Sequence, residues 1–256
     1  DKFLTSHDRE VKRSRPRVCC LIPARLGATR LPGKLLLPID GTSAISHTCR
    51  RVAQAKSIDK CYVVTDSDDI EAEARVVGME VLRVNEDCNN GTERIAKAFF
   101  SLIKEDFDVI VNVQGDEVKV SPDDIDKVVL SHWKNSNYCT CIHAETGDPD
   151  DTSITKLALT ENNRIMYISR RPITTVVHLG VYVFTPLALE DFLKLPETVN
   201  QKKENIEMLK LVEARVVHSV PVTGGYAQLN THEDYSMLTQ GVAGGFVNCN
   251  AGIGEK

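Results

Sequence analysis

The stretch 22–39, "IPARLGATRLPGKLLLPI", decides how this sequence is read. It joins an apolar run to a loop that carries two glycines, Gly27 and Gly33, and three cations, Arg25, Arg30 and Lys34. The spacing comes close to a phosphate-binding P-loop and fails it. A P-loop has four residues between its last two glycines and a Ser or Thr after the Lys. Here five residues intervene and Leu35 follows Lys34, so no hydroxyl is offered to a metal ion.

Working outward, "RVCCLIPA" before the loop is short, apolar and stopped by Pro23, which reads as a buried parallel strand. "SAISHTCRRVAQAK" after it has apolar residues at helical spacing, with Ser43 placed as N-cap. "KCYVVTD" predicts a second strand ending at Asp66, and "SDDIEAEARVVG" a helix closed by Gly78. "MEVLRV" predicts a third strand, "NGTERIAKAFFSLI" a helix starting near Thr92, and "FDVIVNVQGDE" a fourth strand ending in acids. "SPDDIDKVVLSHWK" has Ser121 as N-cap and Pro122 at the first helical position. Strands alternating with helices of this length predict βαβ units and a mostly parallel sheet.

The second half changes character. "YCTCIHAE", "TKLALTE", "IMYISR", "HLGVYVF" and "RVVHSVPV" predict short strands less regularly separated by helices. That pattern points to mixed or antiparallel pairing and a small subdomain.

In an open parallel sheet, ligands bind beyond the carboxyl ends of the strands. That rule gathers Arg25, Arg30 and Lys34 after the first strand and Asp66 after the second. It adds Thr92 and Arg94 at a helix start, and Gln114, Asp116 and Glu117 after the fourth strand. Three like charges in one loop repel unless an anion lies among them, and a phosphate chain satisfies that need. Asp116 facing such a chain suits Mg²⁺ held by oxygen ligands. Glu117 reads as the more structural of the two acids.

The composition bounds the rest. A chain of 256 residues with 42% hydrophobic residues and a net charge of −5 suits one large α/β unit and argues against a nucleic-acid binder. No apolar run reaches the roughly 18 residues of a membrane span. The start of the chain is charged and lacks the apolar core of a secretory signal. Residues 1–16 read as a flexible basic arm, 17–238 as the folded domain, and 239–256 as a tail without period. Eight cysteines without CxxC spacing read as reduced core residues, which places the protein in the cytoplasm. His132, His143 and His232 have no metal-ligand spacing and read as structural.

Taken in order, "IPARLGATRLPGK", "VTDSDDI", "NGTERIAKA", "VNVQGDE", "YISRRPI" and "HLGVYVF" make a string that resembles the 3-deoxy-manno-octulosonate (KDO) cytidylyltransferases over about residues 17–238. The resemblance implies a Rossmann-like nucleotidyltransferase fold, a homodimer, and CMP transfer from CTP to the anomeric hydroxyl of a KDO-like sugar acid with Mg²⁺ and release of pyrophosphate. It implies catalytic roles for Arg25, Lys34 and Asp116. It puts Arg25, Arg30, Lys34, Thr92, Arg94 and Gln114 around the nucleotide, where the strand-end rule adds Asp66. Arg170, His178, Tyr182 and Glu207, on a helix "ENIEMLK", fall at the sugar acid.

The chain departs from the pattern of that family at several points. The "VDTPED" motif, whose first Asp binds metal, reads Leu229-Asn230-Thr231-His232-Glu233-Asp234, which makes Asn230 the second expected metal ligand beside Asp116. Met208, or Leu211 in a shifted register, replaces a Gln that approaches the sugar, and Val118 replaces a proline. The connections at 174–177 and 213–214 are shorter than in the family. These departures keep two alternatives in view, a catalytically impaired nucleotide- or sugar-binding homologue and CMP transfer to a different acidic acceptor.

Overall fold

The computed structural model describes residues 14–27, 30–145, 147–222 and 226–240. Most of the expected basic arm (1–13) and nearly all of the 239–256 tail lie outside the described residues. Arg15, at the end of the arm, pairs with Asp59 at 2.6 Å.

The parallel half is built as the periodicity predicts. Strand β1 (Val18–Pro23) is buried throughout. Strands β4 (Lys60–Thr65), β5 (Glu80–Arg83) and β6 (Val109–Val113) pair in parallel in the order β5-β4-β1-β6. Two short strands, β2 (Pro38–Ile39) and β3 (Thr42–Ser43), make a separate ribbon in the connection after β1. Alternate β1 residues divide between the two faces of the sheet, because successive side chains of a strand point opposite ways. Val18, Cys20 and Ile22 join the cluster under helices α1 (Ala44–Val52), α2 (Asp68–Val76) and α4 (Pro122–Lys134). Cys19 and Leu21 join the cluster under α3 (Gly91–Leu102) and α5 (Pro186–Lys194). Truncating one such buried aliphatic side chain to Ala costs about 2–5 kcal/mol.

The caps explain the helix boundaries. Ser67 accepts from Ile70 N, Ser121 from Asp124 N, and Gly78 closes α2 at φ +78°. Ser43 stands at the N-cap of α1 but donates instead to the Ser46 hydroxyl, and the helix ends at Val52, short of the apolar run. Helix α3 begins at Gly91 and is capped by Asn90, whose side-chain oxygen accepts from Glu93 N at 2.8 Å. That cap frees the Thr92 hydroxyl for other partners.

The second half continues the same sheet. β7 (Cys139–Ala144), β10 (Val177–Phe184) and β11 (Val217–Pro221) extend it to the order β11-β7-β10-β6-β1-β4-β5. β10 runs antiparallel to both β6 and β7, so it is the reversed strand of this path. The hairpin β8 (Thr155–Leu159) and β9 (Ile165–Ser169) pairs with the start of β10 and forms the mixed, antiparallel region expected of this half. Segment 170–176 is short and closed, with Leu157 N donating to Val176 O and the Thr174 hydroxyl donating to Leu157 O.

The expected helix around Glu207 is broken. α6 (Val199–Glu204) ends at Asn205 in the left-handed region, φ 54°, and α7 begins only at Leu209 and runs to Ala214. Asn tolerates that conformation better than most residues. A last helix, α8 (His232–Gln240), follows the Asn230 segment.

Candidate active site

A cavity of about 750 Å³ opens beyond the carboxyl ends of β1 and β6. It lies where the parallel strands pass the reversed strand β10. Arg25, Arg30 and Lys34 all line it, so the loop after β1 does gather its cations at one site. Gly33 takes φ +66°, which a side chain would strain, and donates its N–H to Leu26 O. The turn begins a short 3-10 segment, Lys34–Leu36, and sends Lys34 inward.

Lys34 Nζ donates to Asp116 Oδ2 at 2.5 Å and to Asn230 Oδ1 at 3.5 Å. Arg30 reaches Asn230 Oδ1 at 3.4 Å and the Ser153 carbonyl at 3.3 Å. Arg25 is exposed and makes no hydrogen bond or ion pair among the described residues, which leaves its guanidinium fork available. One carboxylate oxygen and one amide oxygen thus converge on a spot that already holds an ammonium group. Among the described residues no group of three or more His, Cys, Asp or Glu could hold a metal. The two-oxygen set fits a Mg²⁺ ion that draws its other ligands from water and substrate phosphates, as that ion commonly does.

Glu117 is fully buried behind Asp116 and accepts from Gly180 N at 2.5 Å and from the Gln228 side chain. Burial first, and the Asp116 charge second, push its carboxyl up to about 8, so it stays protonated near neutrality. It is a structural acid, as the sequence suggested. Gly180 answers to the same contact, since a Cβ there would stand 2.5 Å from Glu117 Oε1.

The remaining expected residues separate into cavity walls and supports. Gln114, Arg170, His178, Tyr182 and Glu207 line the cavity, and so does Arg94. Arg170 N donates to Glu204 and its guanidinium to Ser153 O at 3.0 Å. Burial and the nearby Arg30 charge lower its pKa. The His178 and Tyr182 rings lie 5.2 Å apart, and His178 Nε2 is buried without a hydrogen-bond partner. Thr92 is buried and does not line the cavity. Its hydroxyl donates to Glu207 Oε1 at 2.9 Å and accepts from Asn112 Nδ2 at 3.1 Å.

Both Glu207 oxygens are engaged by the protein, through the Thr92 N–H and hydroxyl and through Gln114 Nε2 at 3.1 Å. Its carboxyl, raised in pKa by burial, therefore orients Gln114 and the start of α3 instead of standing free for a ligand. Asp66 lies outside the main cavity, in a neighbouring depression with Arg25 and Arg94. It holds Arg94 Nη2 at 2.8 Å while Arg94 Nη1 donates to Val84 O. Met208 and Leu211 are both fully buried in the core, so neither departure from the sugar-contacting Gln faces the cavity.

Sequence reasoning missed Ser153, Glu204, Gln228 and Lys156. Lys156 is buried under the site, donating to the carbonyls of Asp151 and Arg170. Ser153 and Lys156 act through or upon backbone carbonyls, which leave no residue-type signal. Gln228 sits two positions before Asn230 and was legible only as a neighbour of that motif.

A family model for cytidylyltransferases matches residues 19–230. A 3-deoxy-manno-octulosonate cytidylyltransferase of Chlorobium phaeobacteroides is 33% identical over 238 residues, covering 86% of this chain and 95% of that protein. An 8-amino-3,8-dideoxy-manno-octulosonate cytidylyltransferase of Shewanella baltica is 32% identical over 210 residues, covering 77% and 86%. The fold is similar to that of a CMP:2-keto-3-deoxy-manno-octonic acid synthetase solved with CTP, with a TM-score of 0.80 at 24% identity over 88% of this chain and 97% of that one. This chain therefore belongs to the cytidylyltransferase family, among relatives that include the 3-deoxy-manno-octulosonate cytidylyltransferases.

Proposed function

We propose that the protein transfers CMP from CTP to the anomeric hydroxyl of a 3-deoxy-octulosonate-type sugar acid and releases pyrophosphate. The observation that carries the reading is the meeting of Lys34 with Asp116 in a cavity also lined by Arg25 and Arg30. Such a site can neutralise a triphosphate from two sides. Phosphoryl transfer asks for positioning and charge neutralisation more than for a protein nucleophile.

In this reading Arg25, Arg30 and Lys34 hold the triphosphate and offset charge developing on the leaving pyrophosphate. Asp116 and Asn230 would hold Mg²⁺, which when bound would supply positive charge to offset part of that of the phosphates. Arg94, steadied by Asp66, and Gln114, steadied by Glu207, flank the nucleotide. Arg170, His178 and Tyr182 face the acceptor. Asn230 still presents an oxygen beside Asp116, which favours a working enzyme over a binding-only homologue.

An amino-substituted acceptor is the second reading. The Shewanella baltica relative named for the 8-amino sugar is 32% identical to this chain, against 33% for the Chlorobium phaeobacteroides relative named for KDO. Met208 and Leu211, the alternative counterparts of the family's Gln, are both buried, so neither register puts that departure on the acceptor wall.

We further propose a homodimer in a reducing, cytoplasm-type compartment. Seven cysteines are free among the described residues, and none of the described helices is long and apolar enough to cross a membrane. The test is pyrophosphate release from CTP and Mg²⁺ with KDO, its 8-amino analogue and a nine-carbon ulosonic acid in parallel. Release above the acceptor-free rate with an octulosonate is expected, and its absence with every acceptor would overturn the assignment.

A further inference from the structure

A continuous line of hydrogen bonds links the reversed strand β10 to the charged end of the cavity, and the donor-only cations at that end set its direction. Gly180 N–H can only donate, so Glu117 Oε1 accepts from it, at 2.5 Å. Gln228 Nε2 donates to that same oxygen. Gln228 Oε1 is then turned the other way, where it accepts from Asn230 Nδ2 at 3.2 Å. At the far end, Lys34 and Arg30 carry donors only, so the Asn230 atom they meet at 3.5 and 3.4 Å must be Oδ1. The Gln228 contact agrees with the orientation that the two cations require of the Asn230 amide.

An amide at this position has two unlike ends. Turned over, it would set Nδ2 against the Lys34 and Arg30 donors and Oδ1 against Gln228 Oε1, like against like on both sides. A carboxylate in its place has two equivalent oxygens and so no orientation to choose, although one of them would then face Gln228 Oε1. The backbone beneath is separately secured, since Asp234 Oδ2 accepts from Asn230 N at 2.8 Å and from Thr231 N at 2.7 Å. Side-chain orientation is the freedom left to control, and Gln228 is the residue placed to control it.

We infer that Gln228 is a positioning residue of the cation-binding end of the site, holding the Asn230 amide with its oxygen toward Lys34 and the ion that Asp116 would share. This rests on the nucleotide-and-metal reading above. Gln228 matters because residue 230 is an asparagine, and it loses that role when residue 230 is an aspartate.

The test is a double-mutant cycle read by metal binding, with Mn²⁺ as the probe ion, CTP present, and free Mn²⁺ followed by electron paramagnetic resonance. Q228M is expected to weaken Mn²⁺ binding by about tenfold in the parent chain and by less than about twofold in the N230D background. Equal losses in both backgrounds, or no loss in the parent, overturn the inference. A second measurement needs no folded variant of Gln228. In the ¹⁵N-labelled parent, the Asn230 side-chain amide, assigned by its disappearance in N230D, is expected to exchange with solvent at least about tenfold more slowly than a free amide. Exchange at the free rate overturns the inference on its own. Failure of the parent to bind Mn²⁺ with CTP sinks the metal reading instead, and amide exchange then still decides the orientation.

Discussion

Lys34 Nζ and Asp116 Oδ2 stand 2.5 Å apart although 82 residues separate them in the chain. They meet because β1 and β6 are parallel neighbours in the sheet, so the loop leaving one passes the end of the other. The pair is mostly shielded, with 16% and 19% of the side chains exposed. Charge-assisted hydrogen bonds of this kind are short and strong. In the proposed reaction Lys34 would turn to the phosphate oxygens and Asp116 would be left to hold the ion, so the ion pair keeps both groups in place until substrate arrives.

Removing either partner should therefore cost catalysis more than stability. K34A and D116N are each expected to lower kcat/KM for pyrophosphate release by about 10²–10³. The double variant should lose little beyond the worse single one, because the two act as a unit. K34R should recover only part of the loss, since a planar fork does not replace a compact ammonium. Turnover of K34A close to that of the parent would remove Lys34 from the mechanism.

Asn230 makes a second prediction, about the ion. Restoring a carboxylate with N230D adds an anionic oxygen beside Asp116, and the Mg²⁺ concentration for half-maximal turnover should fall by about three- to tenfold. A magnesium titration of both proteins under saturating CTP measures it. An unchanged or higher requirement would mean that residue 230 does not face the ion.

Gly180 makes a steric prediction. The Cβ of an alanine would lie 2.5 Å from Glu117 Oε1 and 2.9 Å from Gln114 Cγ, with the buried acid unable to retreat. G180A should lose about 2–4 kcal/mol in urea denaturation. G78A offers the comparison, because its new Cβ meets nothing within 4 Å and only the φ of +78° is strained. It should lose about 1 kcal/mol. Equal losses would show that β10 can shift to relieve the contact.

His132 predicts a pH dependence of stability. It is buried between α4 and β7, with Nδ1 3.1 Å from the Thr140 hydroxyl, and burial lowers its pKa to about 4. The unfolded chain, with an ordinary value near 6.5, binds the proton first as pH falls. Stability from this group is therefore complete above about pH 6.5, declines as pH falls toward 4, and levels off below. The decline is on the order of 3 kcal/mol. H132Q should flatten this part of the pH–stability curve, and a variant with the same slope as the parent would show that the acid sensitivity arises elsewhere.

How much of this was legible depends on the range of each interaction. The twelve-residue pattern from Ser67 to Gly78 gives up its helix readily, because a Ser cap, acids in the first turn and a closing glycine are all local signals. Ser43 shows the limit, since its hydroxyl had an equally local competitor in Ser46 and took it. Glu207 shows a larger one. Its apolar neighbours look helical, yet Asn205 breaks the helix and delivers the carboxylate to Thr92, 115 residues away.

Alone, the order of residues determined the succession of strands and helices and the strand ends at which the charged side chains would gather, because periodicity, capping and turn chemistry act over a few positions. Only the tertiary structure decided that β10 lies reversed beside β6, that Met208 turns into the core, and that Gln228 stands between Glu117 and Asn230. A hydrogen bond has no reach beyond about 3.5 Å. Which groups come within that distance is set by how the sheet is ordered, and no short stretch of chain contains that information.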